Sequence, residues 1–288
     1  MERMPPMSYL AAAAALLAPL GQSYRPSPIR AYRDQAVFST APAGSKTFTL
    51  NLADASGVHP LAAETRGEPV EADVSRGPAG KPEIIVAQTR AIYSLDPQTG
   101  SRRRLHTTHD VARSPVLWGN RLAWIEGRDR VYTAVLGHKA KRVPMPRGTI
   151  SEIELFGGRL AIALNSGATL GDARVWLQEI DGSRRVLVRK VSSGEADRSF
   201  VGLSFDGGAL YFSQICSGDP SGCPGHGIAY RYASGKTRTA SVPLDLGGFA
   251  QAAGVSYWVT QHYGDCLDDE GADAPCVIER SKLRFRRS

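Results

Sequence analysis

SPVLWGNRLAWIEGRDRVYTAVLGHKAKRVPM, Ser114 to Met145, packs several short apolar runs between glycine- and charge-rich breaks. Each run is too short for a helix and carries the β-branched and aromatic residues of a strand. Gly119-Asn120 between the first two runs suits a tight hairpin, because both residues tolerate positive φ. The stretch reads as four strands: Ser114 to Trp118, Arg121 to Gly127, Arg130 to Leu136 and Ala140 to Met145.

Working outward, the LAWIE run at Leu122 has counterparts along the chain. They are AVFST at Ala36, IIVAQ at Ile84, LAIAL at Leu160, LYFSQ at Leu210 and SYWVT at Ser256. A second run follows each, from FTLNL at Phe48 to CVIERSKL at Cys276. Its closing residues, Leu52, Leu95, Leu136, Ile180, Tyr232 and Leu283, are spaced by 43, 41, 44, 52 and 51 residues. A period of that length with about four strands per unit indicates an all-β, six-bladed β-propeller with blades of about four antiparallel strands. A lone four-stranded sheet cannot bury two apolar faces, whereas a ring of sheets buries each against its neighbours. After Leu283 too little chain remains for a full fourth strand. Gln22 to Arg30 is therefore expected to help close the ring, while also leading into the first repeat.

Two stretches, SFDGGALYFSQ at Ser204 and YSLDPQTGSRRRL at Tyr93, resemble the TolB-type propeller repeat. The second is also similar to quinoprotein-type repeats. The resemblance covers about residues 27 to 288. It implies a largely exported or periplasmic group of binding modules, with enzymes among related propellers, and a fold does not fix an activity.

The N-terminus fits export. The run from Tyr9 to Leu20 has the length of a signal-peptide core and is too short to span a bilayer. Gly21-Gln22-Ser23 follows with small residues at cleavage spacing, which divides the chain into a signal-like helix over 1–23 and one propeller domain over 24–288. The competing reading is an alanine-rich N-terminus on a cytoplasmic protein. The chain has 288 residues, 42% hydrophobic and 22% charged, so it is long enough for a large core and too apolar for global disorder. A net charge of +7 permits anionic partners, or is simply a solvated basic surface.

The four cysteines sit in two short stretches, CSGDPSGC and CLDDEGADAPC. Pairs Cys216–Cys223 and Cys266–Cys276 read as disulfides of a secreted chain. Their spacing disfavours zinc hooks, and free thiols are the remaining alternative. Asp268, Asp269, Glu270 and Asp273 offer hard oxygens for calcium, although the order is not that of an EF-hand loop. His106, His109 and Asp110 are candidates for a transition metal, against the plainer reading of a polar connecting loop. His226 and His262 lie in other loops.

No catalytic set emerges. GLSFD at Gly202 falls short of a nucleophile elbow and lies at a strand-to-strand turn, so Ser204 is not expected to attack and Asp206 reads as a turn residue. Trp124, Trp176, Phe212 and Trp258 read as core packing between blades. The tail ERSKLRFRRS could meet an anionic surface through Lys282, Arg284, Arg286 and Arg287, or be solvated. The functional expectation is an exported, monomeric binding module, secreted or in the periplasm or cell wall. Its partner would be a protein, a wall polymer or a small anion, with no nucleic acid and no catalytic cofactor. The alternative is an extracytoplasmic hydrolase or lyase acting on glycans or peptides at the propeller mouth.

Overall fold

The computed structural model describes residues 19–25, 27–165, 172–192, 196–218, 227–242, 246–260 and 275–287. These residues are all-β: no helix occurs among them, and none is long and apolar enough to cross a membrane. Of the expected leader over 1–23, residues 1–18 lie outside the described residues and 21–23 form a strand, so the signal-like helix has no support here.

The strands form consecutive antiparallel meanders. The first comprises β2 (Ile29–Tyr32), β3 (Gln35–Thr40), β4 (Thr47–Asp54) and β5 (Gly57–Arg66). The second comprises β6 (Glu71–Arg76), β7 (Pro82–Gln88), β8 (Ala91–Leu95) and β9 (Arg102–Thr107). The third is β10 (Ala112–Trp118), β11 (Arg121–Glu126), β12 (Arg130–Val135) and β13 (Lys141–Val143). The fourth is β14 (Thr149–Phe156), β15 (Arg159–Asn165), β16 (Ala173–Glu179) and β17 (Val186–Val191). The fifth is β18 (Ala196–Asp206), β19 (Ala209–Gly218), β20 (Gly227–Ala233) and β21 (Lys236–Val242). The last is β22 (Leu246–Ala252), β23 (Val255–Thr260) and β24 (Cys276–Ser281).

Hydrogen bonding gathers these meanders into five sheets, not into separate sheets for each repeat. The second and third meanders share an eight-stranded sheet because their first strands meet in one parallel pair, Trp118 with Arg76. The first strands contact one another in cyclic order, β2, β6, β10, β14, β18, β22 and back to β2. They enclose a central channel in a propeller-like arrangement.

Closure comes from the N-terminus. Strand β1 (Gly21–Ser23) pairs with β24, setting Gly21 opposite Ile278 and Ser23 opposite Cys276. The Ser23 hydroxyl is buried, donates to the Arg25 carbonyl and accepts from the Ala41 amide. The sheet domain thus begins three residues ahead of the expected boundary at 24, because the last sheet has no other fourth strand among the described residues. The tail adds β25 (Arg286–Arg287) to the outer edge of the fifth meander instead.

The contiguous apolar runs are explained by burial on both faces. In β11, Leu122 and Trp124 enter a core shared with β7 and β10, while Ala123 and Ile125 enter one shared with β14 and β15. In β3, Val37 packs toward the second meander and Phe38 toward the last. Phe212 and Trp258 are buried in cores of the same kind, and Trp176 packs against the one beside it. At roughly 25 cal/mol per Å² of apolar surface removed from water, these facing layers supply the main drive for ring assembly.

Candidate functional site

One end of the channel, where the first strands begin, carries buried charge. A cavity of about 190 Å³ opens there, lined by Arg30, Glu71, Ser114, Glu152, Gly202 and Phe249, one from the first strand of each meander. Apolar walls come from Phe38, Val70 and Phe200.

Several of these strands depart from regular pairing near the mouth. Bulges fall between Arg113 and Val116, Ile150 and Glu152, Val201 and Ser204, and Leu246 and Gly248. A bulge adds a residue to one strand and re-aims its side chains, which is why bulges recur beside binding sites. Ser114 sits at φ 45°, a left-handed conformation that costs a residue other than glycine free energy. Gly202 has φ 71°, and a Cβ there would lie 2.1 Å from the Phe249 carbonyl oxygen, so only glycine fits.

Arg30 is the hub. Its guanidinium is paired with Glu152, lies 3.8 Å from Glu154, and donates to Ser114 Oγ (3.0 Å) and to the Leu203 carbonyl (3.1 Å). Glu152 also accepts from the Gly202 and Leu203 amides at 2.7 and 2.9 Å, bonds that the bulge in β18 makes available. Glu71 accepts from the Ser114 amide at 2.8 Å. Asp73, two residues further along β6 and thus on the same face, is buried with Oδ2 unpartnered.

The electrostatics follow. Burial acts against the Arg30 charge, but the fields of Glu152, Glu154, Asp73 and Glu71 outweigh it, so Arg30 stays cationic. Burial pushes Glu154 well above the ordinary carboxyl range, with Asp73 adding repulsion and Arg30 opposing it. Burial raises Asp73 likewise, against the pull of Arg30. Glu152 is pushed up by burial, but the guanidinium and two amides hold it in place as the ion-pair partner. One guanidinium lies in the field of four carboxyl groups, and burial shifts three of them, Asp73, Glu152 and Glu154, toward the protonated form.

The opposite end differs. Tyr32, Trp118, Phe156 and Phe205, from the ends of four first strands, form a chain of ring contacts with centroids 6.0, 4.3 and 5.3 Å apart. Arg76 lies over Trp118, and Arg159 over Phe156.

The residues singled out from sequence fall elsewhere. His106 packs on the Trp124 ring at 4.8 Å, and burial lowers its pKa. His109 lies 6.0 Å from the Tyr132 ring, and Asp110 pairs with Arg130 at 3.3 Å. Among the described residues no group of three His, Cys, Asp or Glu is arranged to hold a metal ion. Ser204 is buried and accepts from the Gln251 amide, joining β18 to β22, which leaves it no nucleophile's setting. Asp206 accepts from the Gly254 amide beside the Gly207-Gly208 turn. Cys276 is buried and disulfide-bonded. The side chains of Cys216, Cys223 and Cys266 lie outside the described residues, as do Asp268, Asp269, Glu270, Asp273, His226 and His262.

Sequence reading missed Arg30, Glu71, Asp73, Ser114, Glu152 and Glu154. The signal was available in ISEIE at Ile150 and EADVS at Glu71, where acidic residues alternate with apolar ones in strands of a repeat otherwise buried on both faces. Without the first strands aligned to a common axis, that alternation looks like an ordinary solvated face.

No family model and no curated protein sequence matches the chain. Solved β-propeller structures do. An oligogalacturonate lyase in complex with manganese aligns over 85% of this chain and 74% of that one, at TM-score 0.54 and 14% identity. A chain of the mitotic checkpoint complex aligns over 98% of this chain and 99% of its own length, at 0.56 and 11%. A chain of the nidogen/laminin complex covers 81% and 85%, at 0.50 and 10%. At these identities the likeness is one of fold, and the fold is a β-propeller.

Proposed function

We propose that this protein is an exported, six-bladed β-propeller of the TolB type that serves as a binding module, with its ligand site at the acidic mouth of the channel. The cyclic contact of the six first strands and the apolar cores between successive meanders support counting the eight-stranded sheet as two blades. The carrying observation is the cavity itself, to which every meander contributes a first-strand residue, and which Glu71 and Glu152 line together with Arg30 and Arg113, with Asp73 and Glu154 acting on Arg30 from outside the lining. Glu71 lines this cavity outside the ion pairs of the described residues, held by the Ser114 amide, and with the apolar walls it favours a small ligand with a cationic group on an apolar body. A small anion, an equal expectation from the net charge of the whole chain, would meet the Glu71 carboxylate at this mouth.

Thermal shift and calorimetry with phenethylamine as probe test the reading. Binding to the wild type, lost in Glu71→Gln and in the cavity-filling Val201→Trp, supports it. No binding, or binding unchanged in both variants, removes the mouth as a cation site. A second reading, an extracytoplasmic hydrolase or lyase, draws on Glu154, whose carboxyl burial raises and which lies 3.8 Å from Arg30, a pairing suited to general acid chemistry. Turnover of a glycan or peptide panel that disappears in Glu154→Gln, with folding intact, would replace binding by catalysis.

Export and the disulfides Cys216–Cys223 and Cys266–Cys276 belong to the same proposal. Because Gly21–Ser23 closes the last sheet, processing is expected ahead of Gly21. Mass spectrometry of the mature N-terminus checks this, and a start at residue 24 or later overturns it. Peptide mapping without reductant checks the pairings. Binding of calcium by the second cysteine loop is tested by melting with calcium and with chelator.

A further inference from the structure

The C-terminal tail, set apart in the sequence by its arginines, folds back on the outer edge of the fifth meander. There β25 pairs with β21, placing Arg287 directly opposite Arg238 and Arg286 opposite Thr239. Like charges directly opposite across an antiparallel pair are destabilising. Arg286 and Arg287 nonetheless hold this pairing, and among the described residues no side-chain carboxylate lines the two hollows beside it.

The first hollow, about 600 Å³, lies between the fourth and fifth meanders. Arg189 of β17 forms one wall and Arg284, Arg286 and Arg287 the other. The hydroxyl residues Thr237, Thr239 and Ser241 of β21 line it, with Tyr230, over whose ring Arg189 is stacked. The second, about 520 Å³, shares Arg287 and Thr237 with the first but lies on the other face of the sheet, where Arg231, Lys236 and Arg238 line it. Arg189, Arg238, Arg284, Arg286 and Arg287 are exposed, and none is in the recorded ion pairs of the described residues. The result is a basic track that wraps the sheet edge at β25, with hydroxyls on one of its two faces.

We propose that this track is a binding site for an acidic polysaccharide, whose carboxylates neutralise the opposed arginines while its hydroxyls meet the threonine and serine side chains. Guanidinium groups suit carboxylates through paired N–H donors. Basic hollows on both faces of one sheet edge, meeting at Arg287 and Thr237, fit a polymer that wraps the edge better than one small ion. A nucleic acid would need exposed rings for its bases, and the one ring here, Tyr230, is buried beneath Arg189. A lipid surface is flat, and these hollows are recessed. This site lies on the outer edge of the ring and does not depend on the reading of the channel mouth.

Binding of the full chain to alginate, a polyuronate, tests the proposal, with dextran, single-stranded DNA and phosphatidylserine vesicles as comparators. Alginate is expected to bind, dextran not to bind, and the affinity to fall as salt rises. Arg189→Gln, and the double variant R286Q/R287Q, should each weaken alginate binding at least about tenfold, a loss of about 1.4 kcal/mol. Arg189 stands on another meander, so its variant keeps the test valid if the double variant frees the tail. Glu71→Gln at the mouth should leave alginate binding unchanged. Failure to bind alginate, undiminished binding by Arg189→Gln, or tighter binding to DNA or vesicles than to alginate would each overturn the proposal.

Discussion

The two ends of the channel are built from the same first strands and have opposite chemistry. At the mouth, bulges in β10, β14, β18 and β22 turn polar side chains and backbone amides toward Arg30. At the far end, pairing is regular and Tyr32, Trp118, Phe156 and Phe205 meet ring to ring. The mouth holds a buried ion cluster, which is costly to desolvate. The far end draws on aromatic burial, which stabilises without choosing a ligand. One repeat unit therefore provides both a structural end and a chemical end, and irregular pairing distinguishes them.

The strongest way to break the contrast is Arg30→Met. It leaves four carboxyls without their cation, and chemical denaturation should report a loss of about 3–5 kcal/mol. Trp118→Ala at the far end removes a partly buried ring and should cost about 2–3 kcal/mol, while leaving phenethylamine binding at the mouth unchanged. Impaired binding in that variant would mean that the two ends are coupled.

A smaller effect comes from pH. Burial raises Asp73 and Glu154, so the folded chain binds protons that the unfolded chain releases. Stability then falls as pH rises from the ordinary carboxyl range, about 4, through the raised folded values. Melting temperature should therefore increase on going from about pH 8 to about pH 5, and Glu154→Gln should flatten that slope. Half-buried Asp172, held at about 2 by Lys190 and Arg174, acts in the other direction, and its contribution is lost only at more acid pH. A slope of the same size in Glu154→Gln would assign the effect to other groups. The smallest change is expected for Glu71→Gln, which keeps the hydrogen bond to the Ser114 amide. Its stability should stay within about 0.5 kcal/mol of wild type while amine binding is lost, a separation visible by comparing melts with calorimetry.

Much of the fold was legible in the chain. The AVFST, IIVAQ, LAWIE, LAIAL, LYFSQ and SYWVT runs are all second strands, and the runs that follow them are all third strands. They could be read because strands buried on both faces must be apolar at every position, and the pattern recurs at a fixed period. The first strands were less legible because they mix apolar and charged residues. Ser114, for example, was read as an ordinary strand residue, yet its left-handed backbone and two-sided hydrogen bonding make it part of the mouth. The metal candidates His106 and Asp110 were suggested by proximity in sequence, but packing on Trp124 and pairing with Arg130 engage them separately.

The sequence by itself determined the strand repeat, the all-β class and the need for a ring, since each of these follows from local periodicity and from apolar surface that one unit cannot bury. Only the tertiary structure decided that Gly21–Ser23 closes the last sheet, that Arg30 meets Glu152 from a chain position 122 residues away, and that the arginine tail lies against β21. These pairings join residues remote along the chain, and their partners are chosen by the curvature and register of the closed ring. No local rule of composition or spacing carries that information.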